Sequence, residues 1–134
     1  MGTNYYYYKE PACSCCGRKG EAIHIGKSSC GWCFSLHVGY QYEDIPRTIA
    51  DWKDAFKVSG SFIEDEYGTV VPVDEMIDNI ENRSRDERPK WTQHEYSQNH
   101  AELGPRNLIR HVVDGRHCIG HGEGTFDYCV GEFS

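Results

Sequence analysis

The chain has 134 residues, of which 38% are hydrophobic and 26% are charged, and it carries a formal net charge of −7. This length suits one domain and the apolar content suffices for a buried core, so a large multidomain enzyme and a wholly disordered chain are both excluded. The acidic balance also argues against broad, charge-driven binding to nucleic-acid phosphates. The excess of acidic over basic residues lies in residues 41–82, which hold eleven acidic and three basic residues.

Neither an export signal nor a membrane span is evident in the sequence. Its apolar runs are far shorter than the roughly 18 residues that a helical span requires, and the N-terminus has neither a basic start nor an apolar stretch. We therefore expect a cytosolic protein. In that compartment the seven cysteines are expected to be metal ligands, redox groups or buried thiols rather than a disulfide framework.

The first predicted unit is a β-hairpin module over residues 1–42. Tyr5–Tyr8 is a run of strand-favouring residues, and short apolar runs punctuated by Cys and Gly follow it. Two-residue hairpin turns favour glycine, so we expect Cys30 and Gly31 to form the turn of the hairpin. This pattern predicts strands and no helix in the first third of the chain.

Residues 43–84 form the predicted helical segment. Apolar residues at helical spacing follow Thr48 and predict a first helix that ends near Val58. Thr48 suits the N-cap of that helix, with Asp51 three residues further on to complete a capping box. A second helix is predicted over 74–82, because acidic residues in its first turn suit the helix dipole.

The last predicted unit is an antiparallel β-meander over residues 91–134, preceded by an exposed loop over 83–90 that lacks apolar residues. Turns at Asp114-Gly115 and Glu123-Gly124 divide the meander into three strands. The sequence thus predicts one compact α+β domain over residues 1–134, with two short helices. The residues expected to anchor its core are Trp52, Phe56, Trp91, Phe126, Tyr128 and Phe133.

A zinc knuckle is the sharpest chemical signal in the chain. Cys13 and Cys16 are two residues apart and Gly17 follows, which is typical of two thiolates that share one metal. With the hairpin turn at Cys30-Gly31, His24 lies directly opposite His37, close enough for both rings to bind the same ion. That register predicts a closed structural zinc site of Cys13, Cys16, His24 and His37.

A second pair of cysteines offers an alternative completion of this site. Cys30 and Cys33 have the same spacing as the first pair, so a four-cysteine zinc ribbon is also chemically sound. In that arrangement the two histidines would take no part in metal binding. The sequence leaves both ligand sets open.

The C-terminal segment contains a further cluster of metal-ligand residue types. The two predicted turns place His111, Cys118 and Cys129 in one row across the meander, with His117 and His121 nearby. This pattern predicts either a second metal site, at His111, Cys118, His121 and Cys129, or a sheet face whose cysteines are buried as small hydrophobic residues.

Several strings, spread over most of the chain, carry a resemblance to a known family. They are Cys13-x-x-Cys16-Gly17-Arg18, His24-Ile-Gly-Lys-Ser-Ser29-x-Gly31-Trp32-x-Phe34 with His37, Trp52, Asp65-Glu66-Tyr67-Gly68, Gly122-Glu-Gly124-Thr-Phe-Asp and Gly131-Glu-Phe-Ser. Together they resemble a family of small proteins of tailed bacteriophages and prophages. The most specific part is the string from His24 to Trp32 with the preceding cysteine pair.

The resemblance implies a phage origin and expression in the cytoplasm of an infected bacterial host. It also implies that zinc is bound by Cys13, Cys16, His24 and His37. Cys30 stands where a smaller residue is more usual in the family, which disfavours the four-cysteine ribbon.

The function expected from the sequence is that of a non-enzymatic phage accessory protein. Its small size, its acidity and its lack of an evident catalytic constellation favour binding to a host or bacterial defence protein, with the acidic helices as the contact surface. The oligomeric state is left open by the sequence.

Two alternative functions belong to other classes. A metal-dependent hydrolase or nuclease would use an open metal position among the C-terminal residues His111, His117, His121 and either Glu123 or Asp127. A nucleic-acid-binding zinc module would use the basic residues of the N-terminal third, with aromatic rings stacked on bases. The residues for that second alternative are Arg18, Lys19, Lys27 and Trp32.

Overall fold

A computed structural model describes residues 2–39 and 45–131 of the chain. Within these ranges the structure contains eight strands and three helices. The strands are β1 Gly2–Tyr8, β2 Ala22–Ser29, β3 Phe34–His37, β4 Phe62–Asp65, β5 Ala101–Leu103, β6 Ile109–His111, β7 Cys118–His121 and β8 Phe126–Cys129. The helices are α1 Ile49–Phe56, α2 Val73–Glu81 and α3 Gln93–Gln98.

Six of the strands form one sheet in the order β4-β1-β2-β3-β8-β7, and β5 and β6 form a separate two-stranded sheet. All neighbours in the large sheet are antiparallel except β3 and β8, which are parallel. The α+β class predicted from the sequence is therefore confirmed. The large sheet joins strands from both ends of the chain, so the C-terminal cluster lies next to β3.

The core lies where α1 and α2 pack on the large sheet. Trp52 and Phe56 from α1 and Met76 and Ile80 from α2 are buried against Phe126 and its neighbours in the sheet. Three predicted core anchors, Trp52, Phe56 and Phe126, are thus confirmed. Trp91 and Tyr128 are only partly buried, and Phe133 lies outside the described residues.

The two predicted helices are present within one or two residues of their expected ends. Thr48 is the N-cap of α1, and its hydroxyl accepts a hydrogen bond from Asp51 N at 3.2 Å. The Asp51 carboxylate accepts from Arg47 N, so only half of the predicted capping box forms. The third helix, α3, was not expected, although Thr92 and Glu95 form a complete capping box at its start.

The predicted pairing of the N-terminal hairpin is wrong by one residue. The turn at Cys30-Gly31 forms as expected, with Trp32 N donating to Ser29 O at 3.1 Å. In the ladder, however, Leu36 lies opposite Gly26 and not opposite Ile25. The physical reason lies in the residues after the turn.

Residues 31–33 leave the hairpin and pair with the C-terminal segment instead. Gly31 O accepts from Ile109 N at 2.9 Å, and Ile109 O accepts from Cys33 N at 2.8 Å. The ladder between β1 and β2 has a separate bulge, because Tyr5 pairs with Gly26 while Tyr6 pairs with His24. Long-range pairing therefore sets a register that the turn alone predicts differently.

The three-stranded C-terminal meander is only partly correct. The β7–β8 hairpin forms, with Cys118 opposite Cys129 as predicted. In contrast, β6 pairs with β5, so the expected pairing of His111 with Cys118 is wrong. The cause is Asp114, whose Oδ1 accepts three backbone N–H groups, from Arg116, His117 and Cys118, and so builds a wider loop than a two-residue turn.

The predicted exposed loop over residues 83–90 begins with Arg83, which makes hydrogen bonds to distant parts of the fold. Arg83 N donates to Thr125 Oγ1 at 2.7 Å, and its guanidinium donates to the carbonyls of Ser29 and Trp32. These bonds connect the end of α2 to the hairpin turn and to β8.

Over the described ranges, no helix combines the length and the apolar character that crossing a bilayer demands.

Candidate metal centre

Three side chains from the C-terminal part of the chain meet beside the edge of the large sheet. His111 ends β6, His117 lies in the loop before β7, and Cys129 ends β8. One ligand atom from each of the three lies within 4.8 Å of the other two. Among the His, Cys, Asp and Glu residues that the structure describes, this is the one group of three or more with that property.

The imidazole rings of His111 and His117 lie next to each other at the site. The ring centroids of His111 and His117 are 5.2 Å apart and their planes are nearly perpendicular. Trp32 packs on the other side of His111, with ring centroids 4.9 Å apart. Ligand atoms of a tetrahedral zinc are about 3.5 Å apart. Small side-chain adjustments would therefore bring all three ligands into bonding distance.

Burial affects the histidine and cysteine ligands in opposite ways: it favours the metal-binding neutral form of His111 and disfavours the thiolate form of Cys129. His111 is partly buried, and desolvation lowers the pKa of its imidazole, so the ring is neutral at neutral pH. Cys129 is fully buried, and its side chain is hydrogen-bonded to Cys118 and Ser35. Donating to Cys118 raises the pKa of Cys129, as does burial. A bound cation would oppose that increase.

Asp127 positions β6 against β8 from inside the core. Its carboxylate is fully buried, and Oδ1 accepts from Arg110 Nε at 2.9 Å. Its Oδ2 accepts from the backbone N–H of His111 at 3.1 Å. Arg110 also donates to the carbonyl of Phe126. The ion pair therefore fixes the backbone of one candidate ligand, and Asp127 acts as a positioning residue.

We expect Asp127→Asn to lower the free energy of unfolding by about 2 kcal/mol, because the partly buried Arg110 loses its counter-charge while one amide oxygen still accepts a hydrogen bond. Urea denaturation followed by far-UV circular dichroism measures this change. Asp86→Asn on the exposed loop is the matched control and should change little. A stability of Asp127→Asn equal to that of the wild type would show that the pair does not hold β6.

Two residues of the predicted second site lie beside this group without joining it. Cys118 lies opposite Cys129, and the hydrogen bond that it receives from that thiol lowers the pKa of Cys118. His121 Nε2 lies 2.8 Å from the carbonyl oxygen of His111 and donates to it. The structure thus brings together His111 and Cys129 as expected, with His117 in the place predicted for Cys118 and His121.

A cavity of about 250 Å³ opens onto the candidate centre. Its wall includes both candidate histidines and Cys118. The full lining is Asn99, His100, His111, Val112, Asp114, His117 and Cys118. An ion held by the three ligands would therefore have a side that faces a space large enough for water and a small substrate group.

The predicted knuckle has the local structure that metal-binding thiolates use. The sulfur of Cys13 accepts backbone hydrogen bonds from Cys16 and Cys15, which lowers the pKa of Cys13. Gly17 N donates to Cys13 O at 2.8 Å, and the left-handed φ of Gly17 (72°) permits this turn. All three cysteines are exposed.

The two histidines predicted to complete this site also lie side by side. The ring centroids of His24 and His37 are 5.5 Å apart. His24 Nε2 lies 2.9 Å from Asn4 Oδ1, and His37 Nδ1 lies 2.8 Å from the carbonyl oxygen of His24. No three of the four predicted ligands share the 4.8 Å spacing found at the C-terminal group. The Cys2His2 ligand set stays a prediction.

The structure separates the cysteines of the alternative ribbon by environment. Cys30 is exposed in the hairpin turn, whereas Cys33 is 1% exposed. Burial, and secondarily the charge of Asp127, raises the pKa of Cys33 to about 12. Burial thus opposes the thiolate form of Cys33, as it does that of Cys129.

The acid sensitivity of the metal-free protein should depend on His24. Burial, and secondarily repulsion from His37, lowers the pKa of His24 to about 4, whereas an unfolded histidine titrates near 6.5. As the pH falls from about 6.5 to 4, the unfolded chain gains a proton that the folded chain does not. Protonation thus favours unfolding, and we expect a loss of about 2–3 kcal/mol of stability across this window.

Chelator-treated protein unfolded by urea between pH 7 and pH 4 measures this effect. His24→Gln should flatten the dependence, while His94→Gln, at an exposed position on α3, should leave it unchanged. An identical slope for His24→Gln and the wild type would place the acid sensitivity elsewhere.

Two of the residues proposed for nucleic-acid binding make contacts within the protein. Lys19 Nζ donates to Glu64 Oε1 at 2.6 Å, and this bond raises the pKa of Lys19. The charge of Lys19 is thus paired within the protein. Trp32 is partly buried between Trp91 and His111.

The predicted second site left out His117, which the sequence indicated only as a ligand of the alternative hydrolase. The signal for the position of His117 was Asp114, because an Asp side chain can accept hydrogen bonds from the backbone N–H groups two and three residues further on. These bonds shape the loop that carries His117.

The fold and the site define an α+β protein with a candidate His2Cys metal centre beside a cavity. No protein-family model, curated protein or solved structure matches the chain. Function must therefore be argued from the geometry of the site.

Proposed function

We propose that the protein is a metal-dependent hydrolase that binds zinc at His111, His117 and Cys129. The observation that carries this proposal is the meeting of three ligand atoms within 4.8 Å, two of which, from His111 and His117, belong to residues that line a cavity. Catalytic zinc sites have three protein ligands and keep the fourth position for water or substrate, whereas structural sites are closed by four protein ligands.

The donor set favours zinc over harder cations. Two imidazoles and one thiolate suit a borderline-soft ion, while Mg²⁺ and Ca²⁺ prefer oxygen ligands. When bound, zinc lowers the pKa of a coordinated water toward about 7 and so supplies a nucleophile for hydrolysis. The surrounding residues then orient the ligands and shape the space for the substrate.

The cavity wall offers polar groups for a substrate. Asn99 and His100 lie at its exposed edge, and His100 O accepts from Val112 N at 2.9 Å, which fixes this edge to the end of β6. The Asp114 carboxylate is engaged by three backbone N–H groups, so its role is to hold the loop that carries His117.

A test of the open position uses protein loaded with Co²⁺, whose visible spectrum reports its coordination. We expect the spectrum to change when azide is added, because azide can occupy the fourth position. We also expect hydrolysis of p-nitrophenyl phosphate diesters or p-nitrophenyl esters that His117→Ala abolishes and His94→Ala retains. A spectrum insensitive to azide, together with no turnover of either substrate class, would contradict a catalytic site.

We also propose a structural zinc at the N-terminal module, bound by Cys13, Cys16, His24 and His37. Support comes from the two backbone N–H groups on the Cys13 sulfur and from the adjacent rings of the two histidines. Metal analysis should then give two zinc ions per chain, of which Cys16→Ser loses one while hydrolysis is retained. One ion per chain, unchanged in Cys16→Ser, would remove this second site.

A second candidate function is the binding of a host or bacterial defence protein by a protein of phage origin. It is favoured by an acidic cleft of about 480 Å³ between β4 and α2, lined by Asp65, Glu75 and Asp78 among others. A partner for this cleft would present basic side chains. Capture from bacterial lysate by the wild type but not by Glu75→Lys would support it, and equal capture by both would not.

A further inference from the structure

Cys118 and Cys129 form a cross-strand pair whose backbones do not bond to each other. The N–H of Cys118 donates to Asp114 Oδ1, and its carbonyl accepts from the backbone N–H groups of Asp114 and Gly115. The carbonyl of Cys129 accepts from Val38 N on the opposite side. The two residues thus occupy a non-hydrogen-bonded position of the antiparallel hairpin.

This position is suited to a disulfide. In non-hydrogen-bonded antiparallel pairs the Cα atoms are about 4.5 Å apart, which is within the range that disulfides span. The two thiols are also close enough for each to shift the pKa of the other. Little backbone movement is therefore needed to join them.

A path for an oxidant to this pair also exists. Both residues are buried, at 1% and 0% exposure, but Cys118 lines the 250 Å³ cavity. Hydrogen peroxide is small enough to enter a cavity of this size. Cys33, the other buried cysteine, is not on the cavity wall.

We infer that Cys118 and Cys129 are a redox-active pair, and that their disulfide and a metal at Cys129 exclude each other. The disulfide itself follows from the strand pairing alone, whereas its competition with zinc rests on the proposed function. A sulfur that is bonded to Cys118 has no thiolate to give to a metal. Peroxide would thus switch the centre from its metal-binding form to a closed form without metal.

The reaction uses hydrogen peroxide as its oxidant and balances in two steps. The sulfur of Cys118 attacks one peroxide oxygen, the O–O bond breaks, and one water leaves after protonation, which oxidises Cys118 to a sulfenic acid. The sulfur of Cys129 then attacks the sulfur of Cys118, the S–O bond breaks, and a second water leaves. Two thiols are oxidised to one disulfide, and one peroxide is reduced to two waters.

The sequence gives a direct way to locate this disulfide. Trypsin cleaves after Arg116, and residues 117–134 contain no further Lys or Arg. The resulting fragment holds Cys118 and Cys129 and no other cysteine. Oxidation of the pair leaves the fragment lighter by two hydrogen atoms and closed to alkylation by iodoacetamide.

The experiment treats full-length metal-free and zinc-loaded protein with a small excess of hydrogen peroxide, then alkylates, digests and weighs the fragment. We expect the lighter fragment from metal-free protein and its disappearance after reduction with dithiothreitol. Zinc should slow its formation at least about tenfold, because the metal holds the Cys129 thiolate. Cys118→Ser should never give it, and Cys33→Ser should behave as the wild type.

The outcomes separate the two parts of the inference. A doubly alkylated fragment from oxidised metal-free wild-type protein overturns the disulfide, and this readout needs no variant. Equal rates with and without zinc, in protein shown by metal analysis to hold zinc at this centre, overturn the competition. Absence of zinc from the reduced protein instead contradicts the proposed function and leaves the disulfide result standing.

Discussion

The His117→Ala variant should lose the metal of the C-terminal centre and all hydrolytic turnover. His117 is one of the three candidate ligands, and the Asp114 carboxylate holds its backbone N–H in place. Changing residues that merely orient a metal ligand lowers affinity about 10–100-fold, so loss of a ligand should lower it by more than about a hundredfold.

Competition with a chromogenic chelator measures this loss of affinity, with the zinc content of the purified proteins as a second readout. His94→Ala is the matched control, because it removes an exposed imidazole from α3 and should leave both readings unchanged. His121→Ala tests the ligand choice itself, since the sequence predicts His121 as a ligand whereas the structure directs its Nε2 to the carbonyl of His111. Retention of zinc by His117→Ala and its loss by His121→Ala would reverse our assignment.

Two of the helices and the turn at Cys30-Gly31 were predictable because their signals are local. Thr48 caps α1, and acidic residues occupy the first turn of α2. These local signals predicted the position of both helices correctly. The same local logic would have found α3, whose capping box joins Thr92 and Glu95. That helix has no buried residue, so it lacks the apolar periodicity on which the prediction depended.

The strand neighbours were less predictable because long-range pairing decides them. The parallel pairing of β3 with β8 joins residues about ninety positions apart, and no turn specifies it. A second long-range contact, between residues 31–33 and Ile109, accompanies the shift of the hairpin register. The sequence pattern could indicate strands there but could not indicate which strand lies beside which.

The candidate site shows the same division. The pairing of Cys118 with Cys129 was predicted, although the structure reaches it through a register shift between Cys118 and Gly120. His117 lies at the site because the Asp114 carboxylate accepts hydrogen bonds from three backbone N–H groups. The loop formed in this way stands where a two-residue hairpin turn was predicted. The predicted strands put Cys118 beside His111 and Cys129 as a ligand. In the structure the Asp114 loop brings His117 to His111 and Cys129 instead.

Replacing Trp52 with Ala should destabilise the protein by about 3–5 kcal/mol, the largest loss that we expect from one side chain. Trp52 is fully buried, and its ring packs against Tyr7 and Phe56 with centroids 6.0 and 5.7 Å away. Its Nε1 donates to the carbonyl of His37 at 2.7 Å, so the side chain joins α1 to the end of β3. The cost combines lost burial, a cavity and an unpaired carbonyl.

Domains of this size are stable by about 5–15 kcal/mol, so such a loss would leave Trp52→Ala close to unfolding. Urea denaturation followed by far-UV circular dichroism measures it, with Asp54→Ala, exposed on the same helix, as the control for lost helix contacts. Trp52→Phe keeps much of the packing and removes the hydrogen bond, so its cost should be smaller, about 1–2 kcal/mol. A loss in Trp52→Ala no greater than that of Asp54→Ala would mean that α1 does not pack on the sheet as described. Because β3 lies beside β8, a loosened α1 contact should also weaken zinc binding at Cys129, which links the stability of the core to the candidate site.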